Sequence, residues 1–358
     1  MTNTQDNQQE KNIDFENIAS EQEDLDIDNA SYKIRTYGAD FTLEILSKKF
    51  DSKEIIVPDF QRLYVWPQKK SSRLIESILL GLPIPQIFLY REEESQDLLV
   101  VDGQQRLKSI NYFINEKFEN GTEFYLKGVK SEWEGKKYST LKESDKRRFN
   151  NYILRATIFE QIDPKDNSSI FEIFERLNTG GMPLNEQEIR RCVIRGEINK
   201  FLDGLNQHDS WRKLLKKNSP DARMKDLEMI LRFFALLSSW KKYRKPMKDF
   251  ITEFMRDKKD ISISDQKYYT EIFKSTTDIL YKKVGVDVFR MKAGINIAVF
   301  DSIMVALALS DFEKIANLET KVKTLKNNSV YLEAISKSTT DIDRVESRIK
   351  LAIQELSN

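Results

Sequence analysis

The sequence predicts an α/β domain followed by an all-helical domain. Two observations predict this division. Short apolar runs typical of strands alternate with amphipathic helical runs up to about residue 185, and beyond that residue only helical patterns recur. We therefore expect a disordered acidic tail, an α/β domain with a small mixed sheet, and an all-α domain, at residues 1–30, 31–185 and 186–358.

The elements of the α/β domain follow from the spacing of its apolar residues. Runs bounded by turn residues predict strands at 55–57, 86–90, 98–101 and 153–159. Helical spacing predicts helices at 41–49, 67–82, 107–118 and 168–177. Ile45 and Leu82 are expected on buried helix faces, and Gly81 is expected to end the second helix.

The helical domain begins with a capping signal. Asn185 is followed three residues later by Glu188, which predicts a capping box at the start of a helix that runs through Val193. The charged run at 221–232 is expected to form an ion-paired surface. Further helices are predicted at 227–237, 247–257, 264–284, 294–310 and 341–356.

Composition points to a cytoplasmic protein. Of the 358 residues, 40% are hydrophobic and 32% charged, and no apolar run approaches the roughly 20 residues that span a bilayer. Residues 1–30 are too polar and acidic for a signal peptide. With Cys192 as its single cysteine, the sequence allows no intramolecular disulfide. Residues 1–30 carry a net charge of −8, so the rest carries +9, a mild basic bias that permits nucleic-acid contact.

The histidine content excludes several kinds of active site. His208 is the single histidine of the sequence, and its polar neighbours predict an exposed loop position. Sites that need two or three imidazoles, among them the His-Asn-His nuclease type and common zinc sites, are therefore excluded from this sequence.

The strongest local signal for chemistry is the run Asp102-Gly103-Gln104-Gln105-Arg106. An apolar strand enters a helix here, so free backbone N–H groups and the positive end of the helix dipole are expected to face one space. Gly103 would let an anion approach the backbone, and Arg106 is suited to bidentate phosphate binding. Gln104 and Gln105 are candidates to orient water, and Asp102 to hold Mg²⁺. A purely structural alternative also fits: Asp102 as N-cap, with Gln105 completing a capping box.

Two weaker candidates lie elsewhere in the α/β domain. Gln61 and Arg62, close to Trp66, are placed to reach a pocket, although a surface arginine packed on an aromatic ring would look the same. Asn178 begins a glycine-containing loop that suits either a helix C-terminus or a close approach of backbone to ligand.

Four segments in order resemble the N-terminal domain family of the GmrSD restriction endonucleases. They are 57–66, 74–85, 101–107 and 174–181, and the clear resemblance covers about residues 40–195. The resemblance implies a ParB/sulfiredoxin-like fold whose Asp-Gly-Gln-Gln-Arg motif binds and hydrolyses a nucleoside triphosphate. It implies roles for Asp102 to Arg106, with Gln61, Arg62 and Asn178 lining the same cleft, and a link to the restriction of foreign DNA.

The predicted function is a nucleotide-dependent subunit of a restriction or anti-phage defence system that acts on DNA. Family members of this type often carry a second, histidine-dependent nuclease domain, which this sequence lacks, so a separate nuclease subunit is an expected partner. Two alternatives remain open: a non-enzymatic DNA-binding or regulatory module, and a nuclease that uses carboxylates such as Asp102.

Overall fold

A computed structural model describes Phe15 and residues 34–57, 64, 66–92, 95–162, 173, 185–311 and 316–357. These residues form two compact units, one within Ser31–Leu184 and one within Asn185–Asn358, and Phe15 belongs to the second. The predicted acidic tail otherwise lies outside the described residues. Phe15 itself forms a β-bridge with Ile295 and packs against the core of the second unit.

The first unit is built on a mixed five-stranded sheet in the order β1-β5-β3-β4-β2. The strands are β1 Ile34–Thr42, β2 Ile55–Ile56, β3 Ile87–Arg91, β4 Leu98–Asp102 and β5 Ile153–Gln161. The helices described in this unit are α1 Leu43–Asp51, α2 Gln68–Leu79, α3 Gln104–Ile114 and α4 Glu143–Asn150. Antiparallel and parallel pairs alternate across the sheet. The pairs β1–β5 and β3–β4 are antiparallel, and the pairs β5–β3 and β4–β2 are parallel.

One hydrophobic core joins this sheet to its helices. Fully buried residues of the central strands, such as Leu89 and Val100, belong to the same cluster as Ile78 of α2 and Phe113 of α3. The strand β4 is almost wholly buried and feeds directly into α3. The corner between β4 and α3 is therefore fixed by packing on both sides, which positions the candidate site.

Three expectations for this unit were wrong or incomplete. Strand β1 was not predicted, because its residues are mostly half-exposed and lack a strong apolar alternation. Ile45 is 46% exposed, since it lies about 200° around α1 from the buried Leu43. Leu82 is 49% exposed because α2 ends at Leu79, before the left-handed Gly81. The helix predicted at 168–177 lies outside the described residues, apart from Ile173.

The second unit is helical, as predicted. Its described helices are α5 Glu186–Val193, α6 Glu197–Asn206, α7 Asp209–Leu215, α8 Lys225–Ser239, α9 Met247–Asp257, α10 Ile263–Lys283, α11 Ile297–Ala308, α12 Leu318–Asn327, α13 Ser329–Ala334 and α14 Ile342–Ser357. A short 3-10 turn, Trp240–Lys242, follows α8. The predicted capping box of Asn185 and Glu188 is confirmed. Residues 297–307 of α11 are buried on every side.

Buried ion pairs replace part of the charged surface predicted at 221–232. Asp301 of α11 accepts hydrogen bonds from Arg232 of α8 at 2.8 Å and from Arg348 of α14 at 2.7 Å, and all three side chains are buried. Asp226 is also buried, and it pairs with Arg212 at 2.9 Å. These charged side chains face the helix interfaces because α8 is enclosed by neighbouring helices. The charged residues in the sequence of α8 do not by themselves indicate this burial.

The position of His208 also differs from the prediction. Its side chain is only 17% exposed, and Nε2 lies 2.8 Å from Oδ1 of Asp278 in α10. The loop position was right, since His208 immediately precedes α7, but packing of α7 against α10 covers the ring. Within the described parts of the chain, no helix combines the length and apolar character that crossing a membrane requires.

Candidate functional site

The corner between β4 and α3 is formed by a glycine in a left-handed conformation. Asp102 is the last residue of β4 and pairs with Phe88, and Gly103 follows with φ 101° and ψ 8°. Helix α3 begins at Gln104, with Gly103 as its N-cap and no side-chain cap from any described residue. The predicted capping box is therefore wrong: Asp102 is still part of the strand, one residue too early to cap.

Glycine is required at this corner for a packing reason as well. A Cβ atom on Gly103 would lie 2.4 Å from Cγ2 of Ile87 and 3.3 Å from an Nη of Arg106. The space that Gly103 leaves open is thus filled by the neighbouring strand β3. Gly103 lets the sheet and the helix approach each other, and its predicted role of admitting an anion on that side is not supported by this packing.

Asp102 and Arg106 form an ion pair across the first turn of α3. Nη2 of Arg106 donates to Oδ2 of Asp102 at 2.6 Å, and the two side chains are 13% and 33% exposed, respectively. Asp102 is the single partner of Arg106 among the described residues, so no described residue occupies the other N–H groups of the guanidinium. The helix dipole adds a positive potential at the same place.

The two glutamines occupy different environments. Oε1 of Gln104 is buried and has no hydrogen-bond partner within the described residues, so it is suited to accept a hydrogen bond from a water or a ligand. Oε1 of Gln105 instead accepts a hydrogen bond from the backbone N–H of Trp66 at 3.3 Å. Gln105 therefore ties the segment before α2 to the first turn of α3.

A second tie links the same two segments. The Tyr64 hydroxyl lies within hydrogen-bond distance of Ser71 in α2 and 2.8 Å from the hydroxyl of Ser109 in α3. Burial raises the pKa of Tyr64, so its hydroxyl stays protonated. Its ring meets Tyr112 edge-on, with centroids 5.0 Å apart. Sequence reasoning missed these contacts because only the fold brings the hydroxyls of Tyr64, Ser71 and Ser109 together.

The described residues of the site suit a divalent cation shared with a ligand rather than a metal held by protein alone. Oδ1 of Asp102 has no partner among the described residues, while Oδ2 is bonded to Arg106. In that same part of the chain, no three His, Cys, Asp or Glu side chains come together as a metal site. One carboxylate oxygen is what Mg²⁺ commonly takes from a protein when phosphates supply further ligands.

Of the residues predicted for the site, Asp102, Gly103, Gln104, Gln105 and Arg106 lie together at one corner. Gln61, Arg62 and Asn178 lie outside the described residues, so their roles stay predictions. Trp66, noted in the sequence only as a neighbour of Arg62, contacts the corner through its backbone.

The fold and this corner define a class of domain: a small α/β module with a mixed sheet, in which a strand passes through Asp-Gly into a helix that bears an arginine in its first turn. The family model of the GmrSD restriction endonuclease, N-terminal domain, matches residues 43–195, so this segment is similar to that family. The match confirms the resemblance, and it suggests a component of a restriction or defence system. Comparison with curated proteins gives no match.

Proposed function

We propose that the corner between β4 and α3 binds the phosphates of a nucleoside triphosphate and supports its hydrolysis, within a restriction or defence system. The observation that carries the proposal is the first turn of α3: it has no side-chain cap among the described residues, and Arg106 has one partner there. A helix N-terminus and a guanidinium are complementary to phosphate in both charge and hydrogen bonding.

Binding would redistribute the contacts of the Asp102–Arg106 pair. In the structure the two charges form an ion pair and neutralise each other. A phosphate placed at the helix N-terminus would accept hydrogen bonds from Arg106, and Asp102 would then be available for Mg²⁺ bound to the same phosphates. When bound, Mg²⁺ supplies neutralisation of phosphate charge.

The hydrolytic step needs a positioned water. The water oxygen forms a bond to the γ-phosphorus while the bond from that phosphorus to the bridging oxygen breaks, and one proton of the water passes to an oxygen of the γ-phosphate. The products are a nucleoside diphosphate and inorganic phosphate. The buried, unpartnered Oε1 of Gln104 is suited to accept a hydrogen bond from this water. Positioning and charge neutralisation are the main requirements of phosphoryl transfer, and this corner offers groups for both.

The test measures phosphate release from ATP, GTP, CTP and UTP with Mg²⁺, with and without DNA. Arg106→Ala should abolish release, and should weaken nucleotide binding by about one to two orders of magnitude because a charged hydrogen bond is worth about 1.5–3 kcal/mol. Arg155→Ala is the matched control, since Arg155 pairs with Asp40 in the same unit at an exposed position. Equal nucleotide binding by the native protein and Arg106→Ala would refute the assignment.

DNA is the proposed macromolecular substrate of the system, on the basis of the family and of the basic balance outside residues 1–30. Since the sequence holds a single histidine, a histidine-dependent nuclease acting with it would come from outside this sequence. Fluorescence anisotropy with labelled duplex DNA at increasing salt tests the contact: affinity should fall steeply with salt if phosphates are bound. Affinity that is independent of salt, or no binding with or without nucleotide, would count against DNA as a direct partner.

A further inference from the structure

A pocket of about 840 Å³ lies in the first unit, between the segment before α2 and the loop after α3. Four aromatic side chains contribute to its lining: Tyr64, Trp66, Phe118 and Tyr125. The volume falls within the range of about 300–1,000 Å³ that is typical of small-molecule sites. Aromatic faces in a concave site bind flat ligands by stacking.

Two of the four aromatic side chains are held in place by neighbouring residues, and the other two are partly exposed to solvent. Phe118 stacks on Phe124, with ring centroids 4.6 Å apart and planes 11° from parallel, and Tyr64 is held by its hydroxyl contacts. Tyr125 is 37% exposed, and Trp66 is half-buried. The Lys70 ammonium lies over the Trp66 ring, 4.4 Å from its centre.

The polar lining is electrically balanced. Glu119 and Glu123 line the pocket, and each is paired with a lysine: Glu119 with Lys108 at 3.4 Å, and Glu123 with Lys137 at 3.1 Å. A hydrogen bond from the Tyr112 hydroxyl, supported by Lys108, holds the pKa of Glu119 below its usual range. The Glu119 carboxylate therefore remains a hydrogen-bond acceptor at neutral pH, and the paired lysines offset part of the negative charge of the two glutamates.

Helix α3 connects this pocket to the proposed phosphate site. Gln105 and Ser109, one turn apart on α3, bond to Trp66 and Tyr64 of the pocket wall. At about 1.5 Å of rise per residue, Ser109 lies about 9 Å along the helix from Gly103. A ribose with its phosphate chain spans a distance of this order.

We propose that the pocket binds a nucleobase. Stacking on Trp66 and Tyr125 supplies affinity, and the carboxylates of Glu119 and Glu123 accept hydrogen bonds from N–H groups of the base. Where the base belongs to the bound triphosphate, the inference rests on the proposed function. The same chemistry also fits an unpaired DNA base.

The experiment compares four probes by calorimetry: GTP, guanosine, tripolyphosphate and a short single-stranded oligonucleotide. Tyr125→Ala should weaken GTP binding at least about tenfold through lost stacking, and should leave tripolyphosphate binding unchanged. Trp66→Leu should act in the same way, and Trp66→Phe should largely restore binding. Tyr268→Ala, at a 52% exposed tyrosine of the second unit, is the matched control.

The variants separate the two proposals. Arg106→Ala should weaken GTP and tripolyphosphate binding and leave guanosine binding intact; if it changes neither, the phosphate assignment fails while the pocket is still tested by Tyr125→Ala. Oligonucleotide binding that depends on Tyr125, without binding of GTP or guanosine, would assign the base to DNA. Native-like binding of all four probes by Tyr125→Ala and Trp66→Leu, with unchanged melting temperatures, would overturn the nucleobase pocket.

Discussion

Replacing Gly103 by alanine places a methyl group at a corner where both backbone conformation and neighbouring atoms oppose it. A left-handed conformation costs a non-glycine residue about 1–2 kcal/mol. The new Cβ would lie 2.4 Å from Cγ2 of Ile87, well inside the roughly 3.5–4.0 Å of a favourable carbon contact. Overpacking of this kind costs about 1–3 kcal/mol. We therefore expect Gly103→Ala to lower the free energy of unfolding of the first unit by about 2–5 kcal/mol.

Hydrogen exchange read by mass spectrometry is the appropriate assay, because it reports on each unit separately. Peptides covering β4 and α3 should lose protection in Gly103→Ala, and peptides covering α8 should not. Gly38→Ala is the matched control: Gly38 lies in β1, and a Cβ there would meet no atom within 4 Å. Its effect should stay within about 0.5 kcal/mol.

A double-mutant cycle with Ile87→Ala isolates the steric part of the effect. Ile87→Ala alone should cost about 2–5 kcal/mol because Ile87 is fully buried. In the double mutant, the loss of unfolding free energy should be smaller than the sum of the two single-mutant losses by about 1–3 kcal/mol, because Cγ2 of Ile87 is absent. Strict additivity, or a Gly103→Ala effect as small as that of Gly38→Ala, would refute the packing argument.

Three further predictions concern the second unit. Asn185→Ala should cost about 1 kcal/mol of stability through loss of the capping box, measured by urea unfolding, with recovery in Asn185→Ser. Asp301→Ala should lower stability by about 3–5 kcal/mol because it leaves buried arginines uncompensated, so native-like melting of this variant would contradict the ion-pair assignment. Burial raises the pKa of Asp278, but hydrogen bonds from Ser210 and His208 outweigh it and hold the pKa below its usual range. A carboxylate whose pKa is lowered by folding stabilises the fold above about pH 4, and this stabilisation is lost as the pH falls through the pKa of the folded state. Asp278→Asn should therefore flatten the decline of melting temperature below pH 4.

The sequence was most informative where packing dictates the residue pattern. The strands β3 and β4, the helix α3 and the capping box at Asn185 follow from strong apolar periodicity or local capping chemistry. Strand β1 escaped prediction because it is held by its pairing with β5, a contact distant in sequence, rather than by its own apolar residues.

The candidate site was located from the sequence, but its internal contacts were not. The run from Asp102 to Arg106 marked the corner, yet local chemistry could not decide whether Asp102 caps the helix or belongs to the strand. That depended on Phe88, which pairs with Asp102 in the sheet. Similarly, Ile87 explains Gly103 only once β3 is placed beside it.

The charge cluster of Arg232, Asp301 and Arg348 has a consequence for how the second unit is made. Its members come from α8, α11 and α14, so the last of them is synthesised well after the first. Until Arg348 is synthesised, the carboxylate of Asp301 has only one of its two arginine partners. The backbone carbonyl of Thr339 also lacks the hydrogen bond that the Arg348 guanidinium donates to it in the folded protein. A nascent chain that stops before α14 therefore holds an incomplete interior, which favours folding of this unit only after α14 is made and makes the unit intolerant of losing α14.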